Sequence, residues 1–181
     1  MLDQRLATRV ENFVSRLKRE DVCMHGFILD VRGEVKATAY YSPFEEGKAH
    51  RMYSVSKSMT ALAIGLLLDE GKISLDDRIA DYFRDFLPEK PDARLMRLKI
   101  RDMLRMATCY RATVYRETDD DWTKPFFTAE PTHEPGTVFH YDTGCSQVLA
   151  ALVARLTGQQ VMDYLTARVF TPLGANDEKH W

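Results

Sequence analysis

The sequence predicts an α+β fold, mostly helical, with an incomplete antiparallel sheet of two N-terminal strands. Two observations carry this. Cys23 to Val31 and Glu34 to Tyr41 are rich in β-branched and aromatic residues and flank Arg32-Gly33, the pattern of two strands joined by a tight turn. Before and after them, apolar residues recur at helical spacing, enough for about six or seven helices. An isolated two-stranded hairpin is only marginally stable, so further strands are expected to be missing from this sheet.

Taken in order, Leu2, Leu6, Val10, Phe13, Val14 and Leu17 mark an amphipathic first helix over residues 2–20. The two strands follow, then a polar loop from Ser42 to Arg51. From Ser54 to about Leu68 apolar residues cover nearly every face, which predicts a helix buried all round. Gly71 suits the left-handed cap that ends it, and Ser74-Leu75-Asp76-Asp77 offers an N-cap for a short helix through Phe83. Ile100 to Ala107 reads as another short helix. Tyr110 to Pro135, with the run Asp119-Asp120-Asp121, reads as a long loop of the kind that often carries function. Gly136 to Tyr141 is an extended approach to an apolar helix from Thr143 to Leu156, closed by Gly158, and Gln160 to Phe170 forms the last helix.

The 181 residues, 45% hydrophobic and 29% charged, suffice for one domain with a substantial core. A net charge of −2 without a basic patch gives no electrostatic reason to expect nucleic acid or an anionic membrane as partner. The longest apolar run, Ala61 to Leu68, is far too short to span a bilayer. The N-terminus lacks the apolar core of a secretory signal, so a cytoplasmic location is expected. Cys23, Cys109 and Cys145 show neither a disulfide framework nor zinc spacing and read as reduced thiols. The five histidines lack any local ligand spacing, so neither a metal nor a cofactor is expected.

Chemistry is suggested at Ser54-Val55-Ser56-Lys57, which puts a hydroxyl and an amine one helical turn apart at the mouth of the most apolar helix. Spacing alone is weak, because Ser15-Arg16-Leu17-Lys18 shares it inside a charged amphipathic helix, where a surface pair is the natural reading. Context favours Ser54 and Lys57. A neutral lysine can take the serine proton, and a helix N-terminus disfavours the ammonium form. The Ser54 backbone N–H is one ready donor for the carbonyl oxygen of a substrate. Tyr141 precedes the helix that starts at Thr143 just as Ser54 opens its own. A phenol beside a lysine cation can be held as phenolate and serve as general base.

The stretch from Tyr53 to Leu62, with Leu68-Asp69-Glu70-Gly71-Lys72-Ile73-Ser74-Leu75-Asp76-Asp77, resembles the serine β-lactamase and penicillin-binding protein superfamily through its S-x-x-K box. Within it the chain is most similar to the class C β-lactamase, family VIII esterase and 6-aminohexanoate-dimer hydrolase branch, whose Y-x-N element supplies a second base. Glu134-Pro135-Gly136-Thr137-Val138-Phe139-His140-Tyr141, then Leu156-Thr157-Gly158 and Phe170-Thr171-Pro172-Leu173-Gly174, match that branch in order and spacing. The resemblance implies a β-lactamase/DD-peptidase-like fold of which the chain is the N-terminal half. Residues 1–53 would be the first helix and two strands, and 54–181 the nucleophile helix and helical subdomain. The C-terminal strands, their K-T-G-type box and the closing helix have no counterpart before Trp181.

The resemblance also implies Ser54, Lys57 and Tyr141 as catalytic residues, a small-molecule amide, ester or β-lactam substrate, and an acyl-enzyme. Thr143 stands where the family usually has a substrate-binding Asn, and Met106-Ala107-Thr108-Cys109 where relatives have His-Thr-Ser-Gly. Two alternatives accompany this reading. One is a non-catalytic relative that binds a ligand or partner in the cleft. The other is an incomplete polypeptide, completed by self-association or by a complementing C-terminal chain.

Overall fold

The computed structural model describes residues 4–115 and 120–175. Leu2 and Asp119 lie outside the described residues. The chain forms two compact units, Met1–Arg51 and Met52–Trp181.

In the first unit, helix α1 (Gln4–Arg19) precedes strands β1 (Gly26–Val31) and β2 (Glu34–Tyr40), paired antiparallel from Gly26↔Tyr40 to Val31↔Glu34. Arg32 and Gly33 both have positive φ, 58° and 79°, which is the type I′ geometry whose twist matches the strands it joins. The Gly33 N–H donates to Asp30 Oδ1 at 2.9 Å. A bulge at Lys36 shifts the register between Leu29 and Asp30. Phe13 of α1 meets Phe27 of β1 edge-on at 5.7 Å, so the helix covers the face bearing Phe27, Leu29, Ala37 and Ala39. On the opposite face Ile28 and Val35 stand 62% and 59% exposed.

The second unit opens with a 3₁₀ turn at Tyr53–Val55 that runs into α2 (Ser56–Asp69). Helices α3 (Ile79–Tyr82), α4 (Ile100–Leu104), α5 (Lys124–Thr128), α6 (Thr143–Thr157) and α7 (Val161–Leu165) follow, and α7 widens into a π-helical turn at Thr166–Phe170. The core lies where α2 packs on α6, with Ala63, Ile64 and Leu67 against Cys145, Val148, Leu149, Leu152 and Val153. Phe83, Phe126, Phe127 and Tyr110 extend it through close ring contacts.

Three elements depart from the sequence reading. Helix α2 is not buried all round: Ala63, Ile64 and Leu67 are fully buried, whereas Leu62 and Leu68 are 40% and 39% exposed. An all-apolar helix needs cover on every side, and the core reaches it on one. Second, the helix expected from Ser74 begins only at Ile79. Asp77 accepts from the Ser74 N–H and the Tyr82 hydroxyl, and the backbone from Leu75 to Ile79 bonds to Leu98, Ile100 and Arg101 instead of coiling. Third, the long loop contains α5. Pro125 sits in its first turn, where its missing N–H costs nothing, and Phe126 and Phe127 are fully buried. Asp120 and Asp121 are exposed, and the Asp121 carboxylate accepts the Thr123 N–H at 2.7 Å. Among the described residues, no helix is long and apolar enough to cross a membrane.

Candidate active site

Ser54 lies in the 3₁₀ turn, exposed, one residue after Tyr53, whose φ of 46° is left-handed. Holding a tyrosine there costs roughly 1–2 kcal/mol. Nothing in the residue pattern foretells this strain, which sits directly against the candidate nucleophile. Lys57 follows in the first turn of α2, half-buried, and its Nζ donates to Ser54 Oγ at 3.1 Å. The same Nζ lies 5.1 Å from the centre of the Tyr141 ring. The Tyr141 phenol is held below the usual phenol range by hydrogen bonding to Ser54 first and Lys57 second, with burial opposing. Serine, lysine and tyrosine therefore converge, although 84 residues separate Lys57 from Tyr141 (141 − 57).

Tyr141 is held by what surrounds it in the chain. Asp142 caps α6: its Oδ1 accepts the Gly144 N–H at 2.9 Å and the Thr113 hydroxyl at 3.0 Å, and the side chain is 1% exposed. The approach to Tyr141 is pinned by backbone bonds to the Met106–Cys109 turn, Thr132 N–H to Cys109 O (2.8 Å), Gly136 N–H to Ala107 O (2.7 Å) and His140 N–H to Met106 O (2.8 Å). Gly136 has φ 80°, and a Cβ there would stand 3.0 Å from Asp102 Oδ1, so glycine is demanded twice over. Gly144 is tightly packed, since a Cβ there would come within 3.1 Å of the Tyr115 ring, which would have to shift by a few tenths of an ångström. Asp142 was not readable as a support of Tyr141, because a lone capping carboxylate looks the same in sequence wherever it occurs.

Thr143 is the first residue of α6 and half-buried, two positions on from Tyr141. Ser15 and Lys18 lie exposed along α1, where Arg16 pairs with Glu20 at 2.8 Å, as expected of a surface face. Cys109 is fully buried and its thiol is pushed up to about 11 by burial, which suits packing rather than nucleophilic chemistry. Cys145, also buried, has its thiol raised by burial and by the Asp142 charge, and donates to the Met103 carbonyl at 3.2 Å.

Among the described residues, the two helix mouths do not enclose a cleft. Tyr141 is 51% exposed and Ser54 faces solvent. A groove of about 680 Å³ begins instead at Ser56 and runs past Met59, Thr60 and Gln147 over Phe83 and Phe86. Such an open shelf can present a nucleophile and a base, but it does not by itself select a substrate.

The chain is 27% identical to the 6-aminohexanoate-dimer hydrolase of Paenarthrobacter ureafaciens over 94% of its own length and 47% of the relative's. It is 33% identical to penicillin-binding protein 4 of Amycolatopsis lactamdurans over 79% of this chain and 37% of the other. The chain thus spans less than half the length of either curated relative. The octameric penicillin-binding protein homologue from Pyrococcus abyssi superposes with a TM-score of 0.70 at 20% identity, over 97% of this chain and 44% of that one, which shows the shared fold. With residues 26–179 matching the family model described as Beta-lactamase, the chain belongs to the β-lactamase family.

Proposed function

We propose that the chain carries the nucleophile of a serine hydrolase that passes through an acyl-enzyme. The observation that carries the reading is one lysine nitrogen 3.1 Å from Ser54 Oγ and 5.1 Å from the Tyr141 ring centre. Ser54 Oγ attacks the carbonyl of an amide, β-lactam or ester, and its proton passes to the Tyr141 phenolate, directly or relayed through Lys57. The Ser54 N–H supports the oxyanion. Collapse of the tetrahedral intermediate breaks the acyl bond. The leaving nitrogen or oxygen takes the proton from Tyr141, and water then releases the acid and restores Ser54. Thr143, with a hydroxyl where a carboxamide is usual, faces the substrate's polar group in this reading. The hydrolase and the penicillin-binding protein among the chain's relatives support an amide, ester or β-lactam substrate.

The test is turnover of a chromogenic ester and a chromogenic β-lactam by the chain and its variants. Tyr141→Phe is expected to lower kcat by about 10²–10⁴-fold, the usual weight of a general base, with KM little changed. A Tyr141→Phe variant with unaltered kcat refutes its assignment.

A second reading is favoured by the exposed apolar faces at Ile28, Val35, Leu62 and Leu68. In it, the chain is the N-terminal part of a β-lactamase-like domain, with residues 1–53 supplying a helix and two strands and 54–181 the nucleophile helix and helical subdomain. A second copy or a complementing chain covers those faces. Sedimentation velocity with a thermal melt decides. Association, or a broad uncooperative melt, supports completion by another chain, and a monomer with one sharp transition opposes it.

A further inference from the structure

Two histidines that no spacing rule connects meet in the first unit. His25 immediately precedes β1, and His50 lies near the end of the polar loop after β2, 25 residues on. Nδ1 of His25 and Nε2 of His50 are 2.8 Å apart. Phe44 lies against both rings, stacked on His25 with centres 3.6 Å apart and tilted against His50 at 4.9 Å. The imidazoles are exposed and Phe44 is half-buried, so a solvated ion can reach the pair while one face of each ring rests on the phenyl group.

At this separation only one of the facing nitrogens carries a proton, and the other presents a lone pair. If the donor ring moves its proton to its remote nitrogen, both facing nitrogens become lone-pair donors, with no net proton released. Metal–nitrogen bonds of about 2.1 Å opened at a right angle, as in tetragonal or octahedral coordination, hold the nitrogens about 3.0 Å apart. A tetrahedral angle requires about 3.4 Å. The 2.8 Å observed is nearer the first, and each ring turns by up to about 45° to aim its lone pair at a shared ion instead of at the other ring.

We propose that His25 and His50 form a two-imidazole chelate for a divalent transition metal, nickel(II) and copper(II) ahead of zinc(II). Among the described residues, no cluster of three or more His, Cys, Asp or Glu side chains is placed to hold a metal, so water completes the coordination shell. The bound ion ties the start of β1 to the end of the loop after β2, and stabilises the folded chain because the unfolded one lacks the pair. Metal binding by this pair does not depend on the Ser54 chemistry.

Calorimetric titration of the chain with nickel(II) tests this, since nickel avoids the thiol oxidation that copper would cause at Cys23. One ion per chain is expected, bound more tightly than zinc(II) and accompanied by a raised Tm. His25→Ala and His50→Ala are each expected to weaken binding at least tenfold and remove the Tm shift, while Cys23→Ser leaves both intact. Circular dichroism of the variants verifies their folding, with His50→Asn as substitute for a variant that misfolds. The proposal is overturned by no binding at millimolar nickel, by zinc binding as tightly as nickel, by less than a tenfold loss in either histidine variant, or by loss of binding in Cys23→Ser.

Discussion

Removing the amine of Lys57 separates two effects that one side chain exerts. It touches Ser54 Oγ, and it is the second cause that holds the Tyr141 phenol below its usual range. A phenolate base gains population as pH rises through its pKa, so the rate of the wild-type chain climbs with pH and levels off above that value. Lys57→Ala is expected to move the climb to higher pH, toward the ordinary phenol range, and to lower the plateau. A pH–rate profile measures both, and a lowered plateau with an unmoved climb would detach Tyr141 from the lysine. Ser54 and Lys57 were legible because the distance between i and i+3 is a property of the helix itself. Their link to Tyr141 was expected only through the resemblance and the parallel helix mouths, because it depends on how α6 packs on α2, which no local pattern records. The left-handed φ of Tyr53 was hidden for the same reason.

Between elements, Glu70 at the end of α2 ties that helix to the turn after α7, accepting from Arg168 at 2.9 Å and pairing with Lys72 at 2.7 Å. Hydrogen bonds to Lys72 and then Arg168 lower its carboxyl from 4.5 to about 2. A folded-state pKa below the unfolded one gives stability that is present above about pH 4.5 and lost as pH falls toward 2. Glu70→Gln is expected to flatten stability across that window, read by urea melts at a series of pH values. An unchanged acid limb would mean that other carboxylates carry it. At the other helix mouth, Asp142→Ala is expected to cost about 1 kcal/mol from the lost cap. It would also loosen the Thr113 tie, lowering kcat with Tyr141 still present. The helix ends at Gly71 and Gly158 were readable from composition, because glycine there answers a local backbone demand. The late start of α3 was not, because Asp77 spends its carboxylate on Ser74 and Tyr82.

Across the whole molecule, stability rests on the α2–α6 core of the second unit, where Ile64 and Leu152 are fully buried. Ile64→Ala or Leu152→Ala is expected to cost about 2–5 kcal/mol, seen as a lowered denaturation midpoint, whereas Leu62→Ala on the exposed face should cost under about 1. The α+β class and the order of elements were legible because hydrophobic period and turn residues are local signals. How much of each apolar face is covered was not, since Leu62, Leu68, Ile28 and Val35 look like core residues in sequence and stand exposed here. In the proposed reaction Ser54, and no other hydroxyl, is the nucleophile. Intact-mass spectrometry after incubation with a fluorophosphonate tests it most directly. One adduct per chain is predicted, mapped to the peptide containing Ser54, lost in Ser54→Ala and retained in Ser56→Ala. An unlabelled wild-type chain at millimolar probe, or a label that survives Ser54→Ala, would contradict the account.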